Sequence, residues 1–386
     1  MNEKKLETIC DSRRNVIVEG MMAVGKTTNL GFSFVDKIIS KGNNLVILDS
    51  REEYLNKFYT KLKGAMYEIF ILNFNDFYKS EGWNLLSYPY QLYKSNELDK
   101  AINFLERIAE EVFFDNANED SFWMNSAREF FIGCCLALFE DGEKDEINLN
   151  SIFAFLEEIE NNSNYVEEYF RTKEKEDLAY VYASGTVFSP IETRGGIIST
   201  VKQRLAPIMG KNGLMKLLNK STFSISNRLE KKLAIFIVNS EEDNSLSPLT
   251  SIFIQELYGQ ISKNRLKKEF DFILDNFDTI NYISNLRGIL SACISKNIKF
   301  YLITRDMKLL ETKYSSYIKK LANHIFVTSK KINITKEDEF FEIENEEKYD
   351  NTENLNDILY PSIPLDEIKV FHLKKFILTN FRSSNN

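Results

Sequence analysis

The chain has 386 residues, 43% hydrophobic and 13% aromatic, enough to bury a large core and too apolar for a disordered polymer. Fifty-seven acidic side chains against 49 basic ones leave a net charge of −8. That balance argues against a surface that binds nucleic acid over its whole extent and leaves room for a local basic channel. The opening MNEKKLETICDSRRN is charged and lacks an apolar core, so no signal peptide is expected. No run reaches the roughly 18 apolar residues of a membrane span; FFIGCCLALF (130–139) reads as a buried helix segment. Cys10, Cys134, Cys135 and Cys293 show no paired metal spacing, and His324 and His372 lie apart from them. A reducing, cytoplasmic setting is the plain expectation.

In chain order, NVIVEG (15–20) predicts a strand, 26–41 a helix, NLVILDS (44–50) a strand, 51–63 a helix and EIFILNF (68–74) a strand. Short apolar strands alternating with helices predict a parallel sheet covered by helices. From 95 to 185 only helical spacing is found, opened by a serine cap in SNEL. Sheet signals return at KLAIFIVNS (232–240), FDFILDNFD (270–278), IKFYLITRD (298–306) and NHIFVTS (323–329), with helices expected over 246–263 and 281–296. Residues 336–357 are acidic and rich in asparagine, and read as a solvated linker or tail. The expected division is a discontinuous α/β domain (1–94 and 186–330), an all-helical insertion (95–185) and a C-terminal tail (331–386).

The strongest local signal follows the first strand. Gly20, four residues, then Gly25, Lys26, Thr27 and Thr28 have the spacing of a phosphate-binding loop. Backbone amides and the dipole of the following helix would cradle phosphates, Lys26 would reach the β- and γ-phosphates, and the Thr27 hydroxyl would hold Mg²⁺. Asp275, at the C-terminal end of its strand, is the expected second ligand of that metal. Asn276 follows where many such ATPases carry a glutamate, and an amide cannot take a proton from water. Asp278 is a candidate replacement. The guanine-selecting pattern Thr-Lys-x-Asp occurs at 335–338 but sits in the acidic tract and is read as chance.

EGMMAVGKTT, LVILDSREEYLNKF and FNDFYKSEGWNLLSYPY, taken in that order, resemble the opening of type IV secretion coupling proteins, hexameric DNA-pumping ATPases of the FtsK/HerA class. The family's Asp-Pro-Lys-Gly-Glu type motif corresponds to Asp49, Ser50, Arg51, Glu52 and Glu53, and its Trp-Asn-Pro-Leu motif to Trp83, Asn84, Leu85 and Leu86. FWMNSAREFF, with Trp123, Ser126 and Arg128, and TRGGIISTVKQRLAPI, with Thr193, Arg194, Ser199 and Thr200, continue the likeness to about residue 330. Three positions depart from the family pattern. Asn276 replaces the glutamate, Arg305 stands where a γ-phosphate-sensing glutamine is expected, and Lys296 is the remaining cation at an arginine-rich helix end.

The resemblance implies a RecA-like P-loop fold with mainly parallel sheet and an inserted all-α domain. It implies ATP and Mg²⁺ as cofactors, with Gly20, Gly25, Lys26, Thr27 and Thr28 at the nucleotide, Thr27 and Asp275 at the metal, and Lys26, Asp275 and Asn276 at the catalytic positions. DNA or a relaxase–DNA complex, secretion-channel proteins and further copies of the chain, as a hexamer, are the implied partners. The basic run 200–220 (Lys202, Arg204, Lys211, Lys216, Lys220) reads either as a DNA- or subunit-facing region or as an ordinary solvated helix face. Trp83 and Trp123 are expected to pack, and Cys134 and Cys135 to be buried. Three functions follow: a DNA-translocating ATPase, a nucleotide-gated adaptor that does not hydrolyse, and a structural subunit with a relic loop.

Overall fold

The computed structural model describes residues 3–21, 25–113, 121–161, 163–225, 228–240, 244–327, 331–336, 339–344 and 369–371. They fall into two compact units, 1–81 with 223–360 and 82–222 with 361–386.

The first unit is built on nine strands. These are β1 (Asn15–Gly20), β2 (Asn44–Leu48), β3 (Glu68–Asn73), β4 (Leu233–Val238), β5 (Phe270–Leu274), β6 (Ile298–Thr304), β7 (Ala322–Val327), β8 (Lys331–Lys336) and β9 (Glu339–Glu344). Their order is β3-β4-β2-β5-β6-β1-β7-β8-β9. The first seven in that order are parallel, and β8 and β9 extend the edge antiparallel. Every residue of β2, β4, β5 and β6 is buried, as near-continuous Val, Ile, Leu and Phe runs require of a sheet covered on both faces.

The strands stop earlier than the apolar runs suggest. β2 ends at Leu48, β5 at Leu274 and β6 at Thr304, so Asp49, Asp275 and Arg305 leave the ladder at the C-terminal edge of the sheet, where open α/β sheets bind ligands. The expected tail is also corrected. Residues 331–336 and 339–344 are strands, with His324 opposite Thr335 and Lys331 opposite Glu344, because exposed strand edges of the sheet recruit further backbone. Of the Thr-Lys-x-Asp stretch, 335–336 end β8 and 337–338 lie outside the described residues, as does most of the acidic tract from 345 onward.

The second unit is helical and larger than expected. Its helices run Ser87–Lys94, Leu98–Val112, Ser121–Asp141, Leu149–Asn161, Ser163–Phe170, Leu178–Val187, Ile191–Met209 and Asn212–Asn219. Residues 82–94 and 186–222, assigned to the α/β domain from sequence, thus belong with the helices. Arg194 explains part of this. It is buried, and its Nη1 donates to Glu167 Oε1 at 2.7 Å and to the Val187 carbonyl at 2.6 Å, tying three helices together. The Trp-Asn-Leu-Leu stretch does similar work. Trp83 is buried and its N–H meets the Leu217 carbonyl at 2.6 Å, while Asn84 Nδ2 donates to the Ile147 carbonyl at 2.6 Å. The tail contributes too: the Lys369 carbonyl accepts from Asn148 Nδ2 at 2.7 Å, the Phe371 N–H donates to Ser151 Oγ at 2.9 Å, and Phe371 is buried. Cys134 and Cys135 are buried on helix Ser121–Asp141, and Trp123 is partly exposed against Gly196. Among the described residues no helix is long and apolar enough to cross a membrane.

At the N-terminal edge of the sheet, Lys299 of β6 is fully buried. Its ammonium donates to the Ile9 and Ser12 carbonyls at 2.7 Å each, at the C-terminal end of helix Glu3–Asp11, where a cation offsets the helix dipole and the orphan carbonyls. Lys299→Met should cost about 3 kcal/mol of stability by leaving those carbonyls buried without a donor, measured as the urea midpoint multiplied by the m-value.

Candidate nucleotide-binding site

β1 delivers the chain to Gly20, and after the loop the backbone turns at Gly25, whose φ of 81° lies in the left-handed region. A side chain there would be strained and would meet Asn29 Nδ2 at 2.4 Å, so the turn requires glycine. Lys26–Gly31 then winds as a π-helical turn before the α-helix Phe32–Lys41. The Lys26 ammonium folds onto the loop, donating to the Gly20 carbonyl at 2.5 Å and the Met21 carbonyl at 2.8 Å. Burial pushes its pKa down, with Asp275 and Asp278 acting in the opposite sense.

Asp275 meets this turn from β5. Its Oδ2 accepts from Thr27 Oγ1 at 2.7 Å and from the Tyr54 hydroxyl at 2.9 Å, and its Oδ1 from the Asn276 N–H at 2.8 Å. Burial raises the carboxyl's pKa against these three hydrogen bonds, which favour the charged form. Tyr54 reaches Asp275 because residue 31 is glycine: a Cβ there would come within 2.0 Å of the Tyr54 oxygen. No sequence signal marked Tyr54, which reads as an ordinary apolar position of helix Glu53–Gly64.

Asp49 stands beside them. Its Oδ2 accepts from the Leu55 N–H at 2.8 Å in the first turn of helix Glu53–Gly64, and burial lifts its carboxyl to about 7. Together Gly25, Lys26, Thr27, Thr28, Asp49, Ser50, Arg51, Glu53, Tyr54, Asp275, Asn276 and Arg305 line a cleft of about 330 Å³. Gly20 lies at its edge as a carbonyl acceptor for Lys26, whereas Lys296, in the turn Cys293–Lys296, does not line it.

One departure noted in the sequence acquires a physical reason. Asn276 has φ 51° and ψ 41°, a left-handed conformation that asparagine adopts more readily than glutamate, and its carbonyl accepts from the Thr279 N–H at 2.9 Å. Asp278 is not free to act as a base. Its carboxylate is fully covered and accepts from Arg305 Nε at 2.7 Å, the Arg305 N–H at 3.1 Å and Thr304 Oγ1 at 3.2 Å.

The arrangement suits a phosphate chain with a divalent cation. A glycine turn that admits no Cβ, a buried ammonium, and a hydroxyl touching a carboxylate converge on one cleft. Residues 18–341 match the family described as type IV secretory system conjugative DNA transfer. The chain belongs to that family. Solved structures similar to the chain include the bacterial conjugative coupling protein TrwBdeltaN70 with sulphate, at 15% identity and TM-score 0.54 over 86% of this chain and 78% of that one. Plasmid coupling protein TrwB in complex with ADP and Mg²⁺ is similar at 14% identity and TM-score 0.54, again over 86% and 78%. VirB4 of Thermoanaerobacter pseudethanolicus is similar at 9% identity and TM-score 0.56, over 86% and 89%. At these identities the likeness is one of fold. No curated protein matches the chain.

Two outcomes follow from the site's own chemistry. Tyr54→Phe removes a donor from a buried carboxylate and should cost about 1–3 kcal/mol in urea denaturation. Asp49 holds its proton up to about pH 7 when folded and releases it near pH 4 when unfolded. Between those values the native state binds more protons, so stability falls as pH rises through that window. Asp49→Asn should flatten this slope, read from urea midpoints between pH 4.5 and 8, each end being about that value.

Proposed function

We propose that this member of the conjugative DNA transfer family binds Mg-ATP in the cleft and couples its hydrolysis to moving DNA or a relaxase–DNA substrate. The observation that supports this best is the 2.7 Å contact between Thr27 Oγ1 and Asp275 Oδ2, which joins residues 248 apart beside the Lys26 ammonium. Backbone of Gly20–Thr28 would surround the phosphates, Lys26 would neutralise their charge, and Thr27 and Asp275 would hold Mg²⁺, which supplies charge stabilisation when bound. Tyr54 would keep the Asp275 carboxylate aimed at the metal through its hydroxyl. TrwB crystallised with ADP and Mg²⁺, and with the ATP analogue ADPNP, supports a nucleotide and this metal here.

The partners proposed are DNA, secretion-channel proteins and further copies of the chain, as a hexamer, with action on the cytoplasmic side of a membrane. Helices 191–209 and 212–219 carry half-buried Lys202 and Lys216, half-buried Lys211 and Lys220 flank the second, and Lys202 is paired to Glu160 at 2.6 Å. A nucleotide-gated adaptor is the second reading, favoured by Asn276: the residue after Asp275 offers no carboxylate and is committed to a left-handed turn.

Steady-state turnover of Mg-ATP, with and without single-stranded DNA, separates the two. The motor reading expects DNA-stimulated turnover that Lys26→Ala abolishes, with nucleotide affinity in that variant weakened about tenfold or more. Saturable ATP binding by the wild type without turnover would leave the adaptor.

A further inference from the structure

We propose that the cavity walled by Tyr282, Tyr314, Tyr317 and Arg287 binds single-stranded nucleic acid, stacking an unpaired base on Tyr282 and holding a flanking phosphate with Arg287. The inference narrows the DNA substrate proposed above to an unpaired strand, and its cavity shares no lining residue with the nucleotide cleft.

The cavity holds about 730 Å³ and lies between residues 282–291 and 312–317 of the first unit. Three rings form a column at its wall. Phe277 is fully buried, Tyr314 stacks on it at 5.9 Å between centroids and 20° between planes, and Tyr282 stacks on Tyr314 at 5.1 Å and 18°. The column thus runs from core to surface, and its last ring is 48% exposed. Tyr314 covers one face of that ring, which leaves the other for a further flat π-system. A nucleobase is such a group, and every base has a face to offer.

The exposed ring is held in place before any ligand arrives. The Tyr314 hydroxyl accepts from the Ile283 N–H at 2.9 Å, next to Tyr282 itself. Lys313 Nζ donates to the Ile280 carbonyl at 2.5 Å, and Ser247 Oγ donates to Asn281 Oδ1 at 2.7 Å. The chain on both sides of Tyr282 is therefore fastened, so stacking a base there costs little further ordering.

The charge of the region matches a phosphate backbone. In a chain of net charge −8, residues 279–297 and 307–320 carry Arg287, Lys296, Lys308, Lys313, Lys319 and Lys320 against a single acid, Glu311. Glu311 is paired with Lys319 at 2.7 Å, and among the described residues no carboxylate lines the cavity. The Arg287 guanidinium lies 4.8 Å over the ring of Tyr317, a stacking that leaves its edge nitrogens to fork onto phosphate oxygens. A protein partner would call for more apolar surface. Leu286 is the one aliphatic side chain among the described lining residues, and it is buried.

Fluorescence anisotropy of the full chain with a labelled oligothymidylate, and with a duplex of the same length, tests the assignment. The proteins compared are wild type, Tyr282→Leu, Tyr282→Phe and Arg287→Gln. Phenylalanine keeps the ring and guards against a variant that loses its fold. Tyr282→Leu should weaken single-strand binding about tenfold, while Tyr282→Phe stays within about twofold of wild type. Duplex affinity should change by less than about twofold in both, because paired and stacked bases do not offer a face to the ring. Arg287→Gln should weaken single-strand binding and lower the slope of log affinity against log salt by about 0.7, the value of one phosphate. Unchanged single-strand affinity in Tyr282→Leu or Arg287→Gln would overturn the inference and leave the column as a docking surface for a protein. Equal loss in Tyr282→Leu and Tyr282→Phe, or equal loss for duplex and single strand, would overturn it as well. Wild type that binds duplex but no single strand would overturn the inference and leave the DNA reading. Wild type that binds neither would overturn both.

Discussion

A carboxylate that cannot reach water has to be satisfied by the protein, and Asp275 organises the edge of the sheet on that account. It is 3% exposed and directly follows β5, so its oxygens need donors from whatever the fold brings to the strand ends. Three answer: Thr27 from the turn after β1, Tyr54 from the helix after β2, and the N–H of Asn276. The loop, the helix and the strand are thereby held at hydrogen-bond distance around one atom group. Each donor depends on a local permission, Gly25 for the turn, Gly31 for the Tyr54 oxygen, and Asn276 for the left-handed step. The cleft is the space these permissions leave.

The same edge concentrates charge that burial makes costly. Asp49 and Asp275 are both raised, first by desolvation, with hydrogen bonds acting in the opposite sense at both and Lys26 also at Asp275. Their opposite numbers, Lys26 and Arg305, are held by carbonyls and by Asp278 respectively. A site whose acids and bases are each satisfied separately can exchange those partners for a metal and phosphates when a ligand arrives, since the replacement contacts are of similar strength. At the opposite edge the buried ammonium of Lys299 is instead closed onto the carbonyls of Ile9 and Ser12 at the end of helix Glu3–Asp11, and buried Asp271 accepts from Asn43 Nδ2 at 3.0 Å.

In the helical unit the residues that carried the family likeness turn out to be fastenings. Arg194 ties helices through Glu167 and the Val187 carbonyl, Asn84 ties the unit's entry to Ile147, and the Trp123 ring occupies the space a Cβ would take at Gly196. A polar side chain that a pattern marks as special is, in a buried setting, as readily a structural partner as a functional one. The alternation of strands and helices, the glycine turn after β1 and an acidic residue at the end of the fifth strand were legible because each depends on near neighbours in sequence or on a strand end. Tyr54, the bracket of Asp278 on Arg305, and the place of 186–222 among the helices were not.

The sequence alone determined seven of the strands, the glycine turn with Lys26 and Thr27, and the acidic residue that follows β5. These are written in local periodicity and spacing, which the backbone reads without reference to distant partners. Tertiary structure alone decided strand order, the addition of β8 and β9 to the sheet, the docking of Phe371, and which side chains share the cleft. The physical reason is sequence separation: Thr27 and Asp275 are 248 residues apart, and only closure of the sheet brings the hydroxyl to the carboxylate.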